Sequence, residues 1–289
     1  MQFILSAEAA CDLNRDMAEK YSVSVMSMKY YVNGKEYETK DKDYNVEGIY
    51  EQMTKGVKTS TTKPNDFEVE EYLRSLLKKG KDVLHLSFSS AMSGTCATVK
   101  EVAEKLNREG ENRIYVVDTL CQSSGVALLL AEISKKAEEE NWTVKQAFNY
   151  AERIKLYVSH YFAVDTLTYL ARGGRVAPSL AIFGNLVNIK PILNVSTEGK
   201  IYLVQKVFGK KRALKTLAEK FNSKYVPVSK TVFIGYAGNL KEAEELKSEL
   251  LEMNPDLDII LNPLGPVIAC HSGPGTVALF FTSEERLAK

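Results

Sequence analysis

The chain has 289 residues, of which 45% are hydrophobic, and its 38 basic residues nearly balance 37 acidic ones to give a net charge of +1. This length predicts about two compact domains, and the hydrophobic content excludes an intrinsically disordered chain. The charge balance excludes a bulk nucleic-acid binder and a polybasic membrane-surface protein, and the apolar runs are shorter than the roughly 18 residues of a membrane-spanning helix.

The first half of the chain alternates short apolar runs with amphipathic helical patterns. Strands are predicted over residues 2–6, 23–32, 82–88 and 113–117. Apolar side chains at helical spacing predict helices that begin near Phe67, Val99, Val126 and Val144. Strands and helices in this rhythm predict a parallel α/β sheet.

From about residue 156 the pattern changes. We predict a strand over residues 157–164, a short helix over residues 167–172 that ends at Gly173-Gly174, and a hairpin at the Glu198-Gly199 turn. Two helices then interleave with strands over residues 231–236, 257–261 and 276–281. The predicted fold class is α/β with two domains: residues 1–155 with a parallel sheet, and residues 156–289 with a mixed or antiparallel sheet.

The N-terminus, the cysteines and the histidines bear on location and cofactors. The apolar run Phe3-Ile4-Leu5 is shorter than the about 7–15 residues of a signal-peptide core. The four cysteines lie far apart without C-x-x-C pairing, which is typical of reduced core thiols. His85 lies in an apolar strand, where we expect a core residue, and no histidine pair has the spacing of a helical metal site. These patterns predict a cytoplasmic protein without a metal cofactor.

Three segments concentrate small hydroxyl residues and glycines where a strand is expected to end: residues 59–64, 89–95 and 271–276. The first two precede predicted helices, and a helix N-terminus favours an anionic group because its backbone N–H groups are unpaired. One such segment alone is more often a cap or a turn. The second holds more hydroxyls than one cap needs, and His271 adjoins Gly273-Pro274-Gly275, a setting that admits a ligand to the backbone.

Two further patterns concern chemistry. Arg172 before Gly173-Gly174 is typical of a helix C-terminus, whereas Arg175 could orient an anion-binding network. The sequence lacks the loop motifs that bind nucleoside triphosphates or dinucleotides, and it lacks a G-x-S-x-G nucleophile elbow. Ser93 and His271 could form a nucleophile–base pair without an identifiable acid, so an acyl-ester hydrolase stays an alternative.

Seven short motifs in register give the chain a resemblance to the DegV family, the bacterial fatty-acid-binding proteins that serve fatty acid kinase. The resemblance covers essentially the whole chain and keeps the family's order of motifs. The motifs are Lys58-Thr59-Ser60 with Pro64 and Phe67, Ser89-Ser90-x-x-Ser93-Gly94-Thr95, Asp118 with Ser123 and Gly125, Leu170-x-x-Gly173-Gly174-Arg175, residues 188–193, residues 265–268, and His271-x-Gly273-Pro274-Gly275.

The resemblance implies a two-domain DegV-like fold with a long-chain fatty acid, such as palmitate, in a buried tunnel and its carboxylate at the domain interface. It implies that the residues contacting the carboxylate are Thr59, Ser60 or Thr61, Ser93, Gly94 and Thr95, supported by Arg175 and His271. A partner fatty acid kinase would bring ATP and phosphorylate the bound acyl group for phospholipid synthesis. The chain itself would supply no catalytic group and hold no cofactor.

Some residues depart from the family pattern. Glu8-Ala9 replaces an early Asp-Ser, and Phe208 stands where the family often has an arginine. Since a surface arginine is a typical docking contact, a lipid-binding protein without kinase handover is a further alternative. The apolar stretch over residues 176–193, with Phe183 and Leu186, is a candidate for part of the tunnel wall.

Overall fold

Three β-sheets organise the computed structural model, which describes residues 1–41, 45–177 and 188–288. The strands of these residues are β1 (Ile4–Glu8), β2 (Val23–Met26), β3 (Lys29–Val32), β4 (Lys35–Glu38), β5 (Thr59–Thr62), β6 (Val83–Ser87), β7 (Ile114–Asp118), β8 (Val158–Ala163), β9 (Ile189–Val195), β10 (Ile201–Phe208), β11 (Thr231–Tyr236), β12 (Asp258–Pro263) and β13 (Val277–Thr282). The α-helices are α1 (Arg15–Lys20), α2 (Val46–Thr54), α3 (Asp66–Leu77), α4 (Thr95–Leu106), α5 (Ser124–Glu139), α6 (Val144–Ile154), α7 (Thr168–Arg172), α8 (Lys210–Lys224), α9 (Leu240–Met253) and α10 (Pro266–Ser272).

The N-terminal sheet is parallel and has the strand order β2-β1-β6-β7. Its side chains alternate between two hydrophobic cores. Val83 and Ile114 pack with α3 and α4, whereas Leu84 and Val117 pack with α5 and α6. Both faces are therefore buried, as expected for a sheet built from strand–helix–strand units.

The largest sheet is mixed and has the order β10-β9-β8-β13-β11-β12. Its β11–β12 pair is parallel and its other pairs are antiparallel. The hairpin of β9 and β10 turns at Gly199, where φ is +77°, as the sequence predicts. Leu217 of α8 and Leu246 of α9 cover one face of this sheet.

Helix α5 lies between the two larger sheets. Its buried leucines share one hydrophobic core with Leu86 of the parallel sheet and with Phe233 and Phe280 of the mixed sheet. Because this core runs across the chain division expected near residue 155, the domain boundary stays a prediction. All four cysteines are free and buried, as expected of core thiols.

The small antiparallel sheet, β4-β3-β5, places β5 beside α10. Tyr30 and Val32 of β3 pack with Met53 of α2 and Cys270 of α10. This packing brings the hydroxyl-rich strand β5 and the C-terminal helix α10 to one place.

Two of the three hydroxyl-rich segments differ from the sequence prediction. Residues 59–62 form an edge strand rather than a helix-capping loop, and Asn65 caps α3 instead, with its side chain accepting from Glu68 N at 3.0 Å. His271 lies in the last turn of α10 rather than in a loop. Phe183 and Leu186, the candidates for part of the tunnel wall, lie outside the described residues. Within the described ranges, no helix combines the length and apolar character needed to cross a membrane.

Candidate ligand-binding cavity

A cavity of about 310 Å³ lies where β5, the segment before α4, α10 and the mixed sheet meet. Its apolar wall includes Phe88, Phe162, Ile201, Val267, Ala278 and Phe280. Polar side chains from separate parts of the chain line the same cavity, and five of them are called the polar cluster: Thr61, Ser93, Thr95, Arg175 and His271. A mostly apolar cavity with a few placed polar groups is typical of a small-molecule site.

Thr61 and His271 form one contact of the polar cluster, with Thr61 Oγ1 and His271 Nε2 2.8 Å apart. Burial, and then the charges of Arg175 and Arg172, lower the pKa of His271 from 6.5 to about 4, so the ring is neutral near pH 7. His271 Nδ1 is buried without a hydrogen-bond partner among the described residues. Because a buried N–H without an acceptor costs more than an unused lone pair, we assign the proton to Nε2, which donates to Thr61.

Gly173 limits the position of the His271 ring, since a side chain at position 173 would collide with His271 Nδ1. Helix α7 ends here, and Gly174, with φ +75°, turns the chain back toward the cavity. Arg172 occupies the last turn of α7 and stacks on Tyr169, 5.0 Å from the ring centroid. The glycine pair therefore ends the helix as predicted.

Arg175 brings a positive charge to the cavity. Its Nε donates to the Met92 carbonyl at 3.2 Å, and its Nη1 donates to the Gly173 carbonyl. No carboxylate among the described residues forms an ion pair with it. Burial lowers the pKa of this guanidinium below its usual value, yet arginine stays charged in proteins. Nη2 has no hydrogen-bond partner among the described residues, so it could donate to an anion.

The segment before α4 presents two hydroxyls. Ser93 N donates to the Ser89 carbonyl at 3.1 Å, which folds the segment into a turn. Ser93 Oγ and Thr95 Oγ1 lie 2.9 Å apart, and Gly94 between them occupies the N-cap position without a side chain. One hydroxyl hydrogen is used between the pair, and the other is available to a bound group.

One of the three candidates in β5 lines the cavity. Thr61 lines the cavity, whereas Ser60 is exposed and Thr59 is buried outside the cavity lining. Successive side chains of a strand point to opposite faces, which separates Ser60 from Thr61. Gly94 lines the cavity as expected. Thr62 and Lys63 also line it, and neither was predicted as a site residue.

Glu8 also lines the cavity and was not predicted as a site residue. Its buried Oε1 accepts from Phe88 N at 2.8 Å and from Ser87 Oγ at 3.0 Å, and its Oε2 lies 3.0 Å from His85 Nε2. His85 is buried as expected, but it serves this polar network. The available signal was position, because Glu8 ends β1 at the carboxyl edge of a parallel sheet, where ligand sites gather.

The hydrogen bonds do not couple Ser93 to His271 as a nucleophile and base. His271 Nε2 contacts Thr61, and Ser93 Oγ contacts Thr95. No acidic group in the described part of the chain bonds His271 Nδ1. The arrangement offers donors to a bound anion rather than an activated hydroxyl.

A family model described as an uncharacterised protein of the DegV family matches residues 4–284 of the chain. The chain belongs to the DegV family. A DegV domain-containing protein of Clostridium perfringens is 30% identical over 288 residues, and the alignment covers 99% of each chain. The family resemblance carried by the seven motifs is thus confirmed.

Solved structures share the DegV fold. A DegV family protein from Thermus thermophilus, described for its fatty acid binding, matches with a TM-score of 0.86 at 26% identity, covering 98% of this chain and 100% of that one. A Thermotoga maritima protein, described as revealing a fatty acid binding function, matches with a TM-score of 0.83 at 25% identity, covering 98% and 99%. The predicted DegV-like α/β fold, with a parallel and a mixed sheet, is confirmed.

Proposed function

We propose that this DegV protein binds one long-chain fatty acid, with its carboxylate on the polar cluster and its acyl chain along the apolar wall. The observation that carries the proposal is that both surfaces belong to one cavity. An amphiphile with one anionic head and one apolar tail matches both, whereas a wholly polar ligand would leave the aromatic wall unused.

The head-group contacts follow from the donors present. Arg175 balances the single charge of a carboxylate. Thr61 accepts from His271 Nε2 and keeps its own hydrogen for the ligand, and the Ser93–Thr95 pair supplies a second hydroxyl hydrogen. Several donors are needed because a carboxylate that leaves water must have its lost hydrogen bonds replaced.

The tail would supply most of the affinity. Each buried methylene contributes about 0.8 kcal/mol, so a palmitate-like chain of about 16 carbons gains roughly 12 kcal/mol before the cost of ordering. The relatives from Thermus thermophilus and Thermotoga maritima, both described for fatty acid binding, support this ligand class. No cofactor is needed for binding.

We further propose that the protein acts without catalytic groups of its own and presents the carboxylate to a separate fatty acid kinase in the cytoplasm. The acyl phosphate formed would enter phospholipid synthesis. The sequence has no phosphate-binding loop motif, so ATP would come with the partner. Phe208, at the end of β10, is 71% exposed and would offer the kinase an apolar contact in place of the family's arginine. Lipid binding without this handover is the alternative.

Mass spectrometry of lipid extracted from the purified protein tests the ligand class. We expect a long-chain fatty acid at about one molecule per chain, and much less from a Thr61→Val/Ser93→Ala double variant. Ser60→Ala, an exposed neighbour outside the cavity lining, is the matched control. Recovery of no fatty acid, together with no binding of added palmitate or oleate, would reject the proposal.

An acyl-phosphate assay with the cognate kinase tests the handover separately. Formation of acyl phosphate that depends on this protein is the expected result. Fatty acid binding without acyl phosphate would favour the alternative of a lipid-binding protein that does not meet the kinase. Hydrolysis of acyl esters that disappears in Ser93→Ala would instead favour the hydrolase.

A further inference from the structure

Lys63 brings a second positive charge to the cavity. It follows β5, and its side chain lies across Gly94, where an added Cβ would sit 3.2 Å from Lys63 Cδ. Its Nζ donates to Thr98 Oγ1 at 2.8 Å. These contacts hold the ammonium at the start of α4, on the same side of the cavity as Ser93.

Lys63 and Arg175 share one electrostatic property. Neither forms an ion pair with a carboxylate in the described part of the chain. Lys190 on the mixed sheet, by contrast, forms an ion pair with Asp165 at 2.7 Å. Two positively charged residues therefore line one cavity, and neither has an acidic partner among the described residues.

Glu8 is the acidic residue that lines the cavity within the described ranges, and it is engaged elsewhere. Its two oxygens receive contacts from the Phe88 backbone, the Ser87 hydroxyl and the His85 ring. These contacts hold the Glu8 carboxyl group in the parallel sheet, and it forms no ion pair with Lys63 or Arg175 among the described residues, so both cations remain available to a ligand.

We propose that Lys63 makes this cavity favour an amphiphile whose head carries two negative charges, a phosphate monoester, over a carboxylate with the same tail. The inference rests on the proposed function, because it places the head on the same polar cluster. Arg175 alone balances the single charge of a carboxylate, whereas a dianion attracts both cations. Coulomb energy scales with the product of the charges, so each cation contributes twice as much to a dianionic head.

Three ligands of one tail length separate charge from head-group shape: palmitate, hexadecyl sulfate and hexadecyl phosphate. The sulfate is tetrahedral with one charge, and the phosphate is a dianion at pH 8 because its second pKa is about 6. Dissociation constants are measured at pH 8 and low salt on delipidated wild type, Lys63→Met, Lys63→Arg and Lys58→Met. Methionine keeps the apolar stem over Gly94, and Lys58 is an exposed control outside the cavity lining.

We expect the wild type to bind the phosphate more tightly than either monoanion. Lys63→Met should weaken phosphate binding about 10-fold and monoanion binding about 3-fold, the size expected of one water-screened charge contact. Lys63→Arg should retain the preference, Lys58→Met should change nothing, and added salt should shrink the preference in the wild type.

Equal weakening of all three ligands by Lys63→Met, or a wild type without preference for the phosphate, would overturn the inference and leave fatty acid binding intact. Failure of the wild type to bind any of the three would reject the proposed function instead. A thermal melt establishes that Lys63→Met is folded. Should it not fold, the salt dependence of the wild type decides, since a preference that salt does not reduce would overturn the inference.

Discussion

Thr61 Oγ1 and His271 Nε2 lie 2.8 Å apart, although 210 positions separate the two residues in the chain. The contact joins the edge strand β5 to the last turn of α10, two elements already packed together through the core of Tyr30 and Cys270. A head group that accepts a hydrogen bond from Thr61 is therefore oriented by His271 without touching it. Such indirect support fixes a polar contact more precisely than one side chain alone.

Replacing Thr61 by valine tests this arrangement, because valine keeps the shape and removes the hydroxyl. The loss of one hydrogen bond to a charged group costs about 1.5–3 kcal/mol, so we expect palmitate to bind roughly 10- to 100-fold more weakly. Isothermal titration calorimetry on delipidated protein gives the dissociation constants. Ser60→Ala should bind as the wild type does; an unchanged constant for Thr61→Val would remove Thr61 from the site.

The strands and helices of the two large sheets could be predicted because their periodic apolar faces are local properties of the sequence. Strand β5 could not be, since its identity depends on pairing with β3, where Thr59 meets Val32 and Thr62 meets Lys29. Helix α10 could not be predicted either, because it is only seven residues long and glycines and prolines flank it. Pro266 at its first turn, directly after Gly265, was the available signal.

The residues of the candidate site also fall into a group that the sequence predicted and a group that it did not. Ser93, Gly94, Thr95, Arg175 and His271 were expected from motifs and do line the cavity. Glu8 was missed because its role depends on His85, which lies 77 positions away and completes its hydrogen bonds only in the folded sheet. Contacts of this kind arise from strand order, which periodicity alone does not specify.

The neutral state of His271 makes folding stability depend on pH. A histidine in the unfolded chain protonates near pH 6.5, whereas His271 in the folded protein protonates at about 4. The unfolded state therefore binds the proton first, and the stabilising contribution is full above pH 6.5 and lost as the pH falls toward 4. Between pH 7 and pH 4, we expect the free energy of unfolding to fall by about 1–3 kcal/mol more in the wild type than in His271→Gln.

Urea unfolding at a series of pH values measures this difference. His160, whose pKa is lowered mainly by burial, is present in both proteins and cancels in the comparison. If the free energy of unfolding changes with pH in the same way in the wild type and in His271→Gln, the result would contradict a neutral, buried His271.

Asp12 gives the opposite dependence on pH. Burial raises the pKa of its carboxyl to about 8, although Ser123 Oγ and Gly265 N donate to its oxygens. An unfolded aspartic acid ionises near 3.8, so the stabilising contribution is full below that pH and lost as the pH rises toward 8. We expect the wild type to lose about 2–4 kcal/mol relative to Asp12→Asn between pH 4 and pH 8.

Urea unfolding of the two proteins at pH 4, 5, 6, 7 and 8 measures that loss. Asp16→Asn, on the exposed side of α1, is the control and should follow the wild type at each pH. A stability difference between the wild type and Asp12→Asn that does not change with pH would show that Asp12 is ionised throughout.

Gly173 offers a test of how the His271 ring is positioned. Its φ of −74° suits any residue, so Gly173→Ala brings no backbone strain and acts through the collision with His271 Nδ1. Displacing the ring withdraws the Nε2–H from Thr61, and we expect palmitate to bind about 10-fold more weakly and stability to fall by about 1–3 kcal/mol. Gly110→Ala, where an added Cβ meets no atom within 4 Å, is the control.

A double-mutant cycle separates this collision from a general effect of the methyl group. In the His271→Ala background the ring is absent, so Gly173→Ala should then cost little stability and no further affinity. Unfolding midpoints and palmitate dissociation constants of the four proteins give the coupling energy directly. Additive effects of the two substitutions would mean that Gly173 and His271 do not act on each other. The inference that Gly173 positions the His271 ring for its contact with Thr61 would then be wrong.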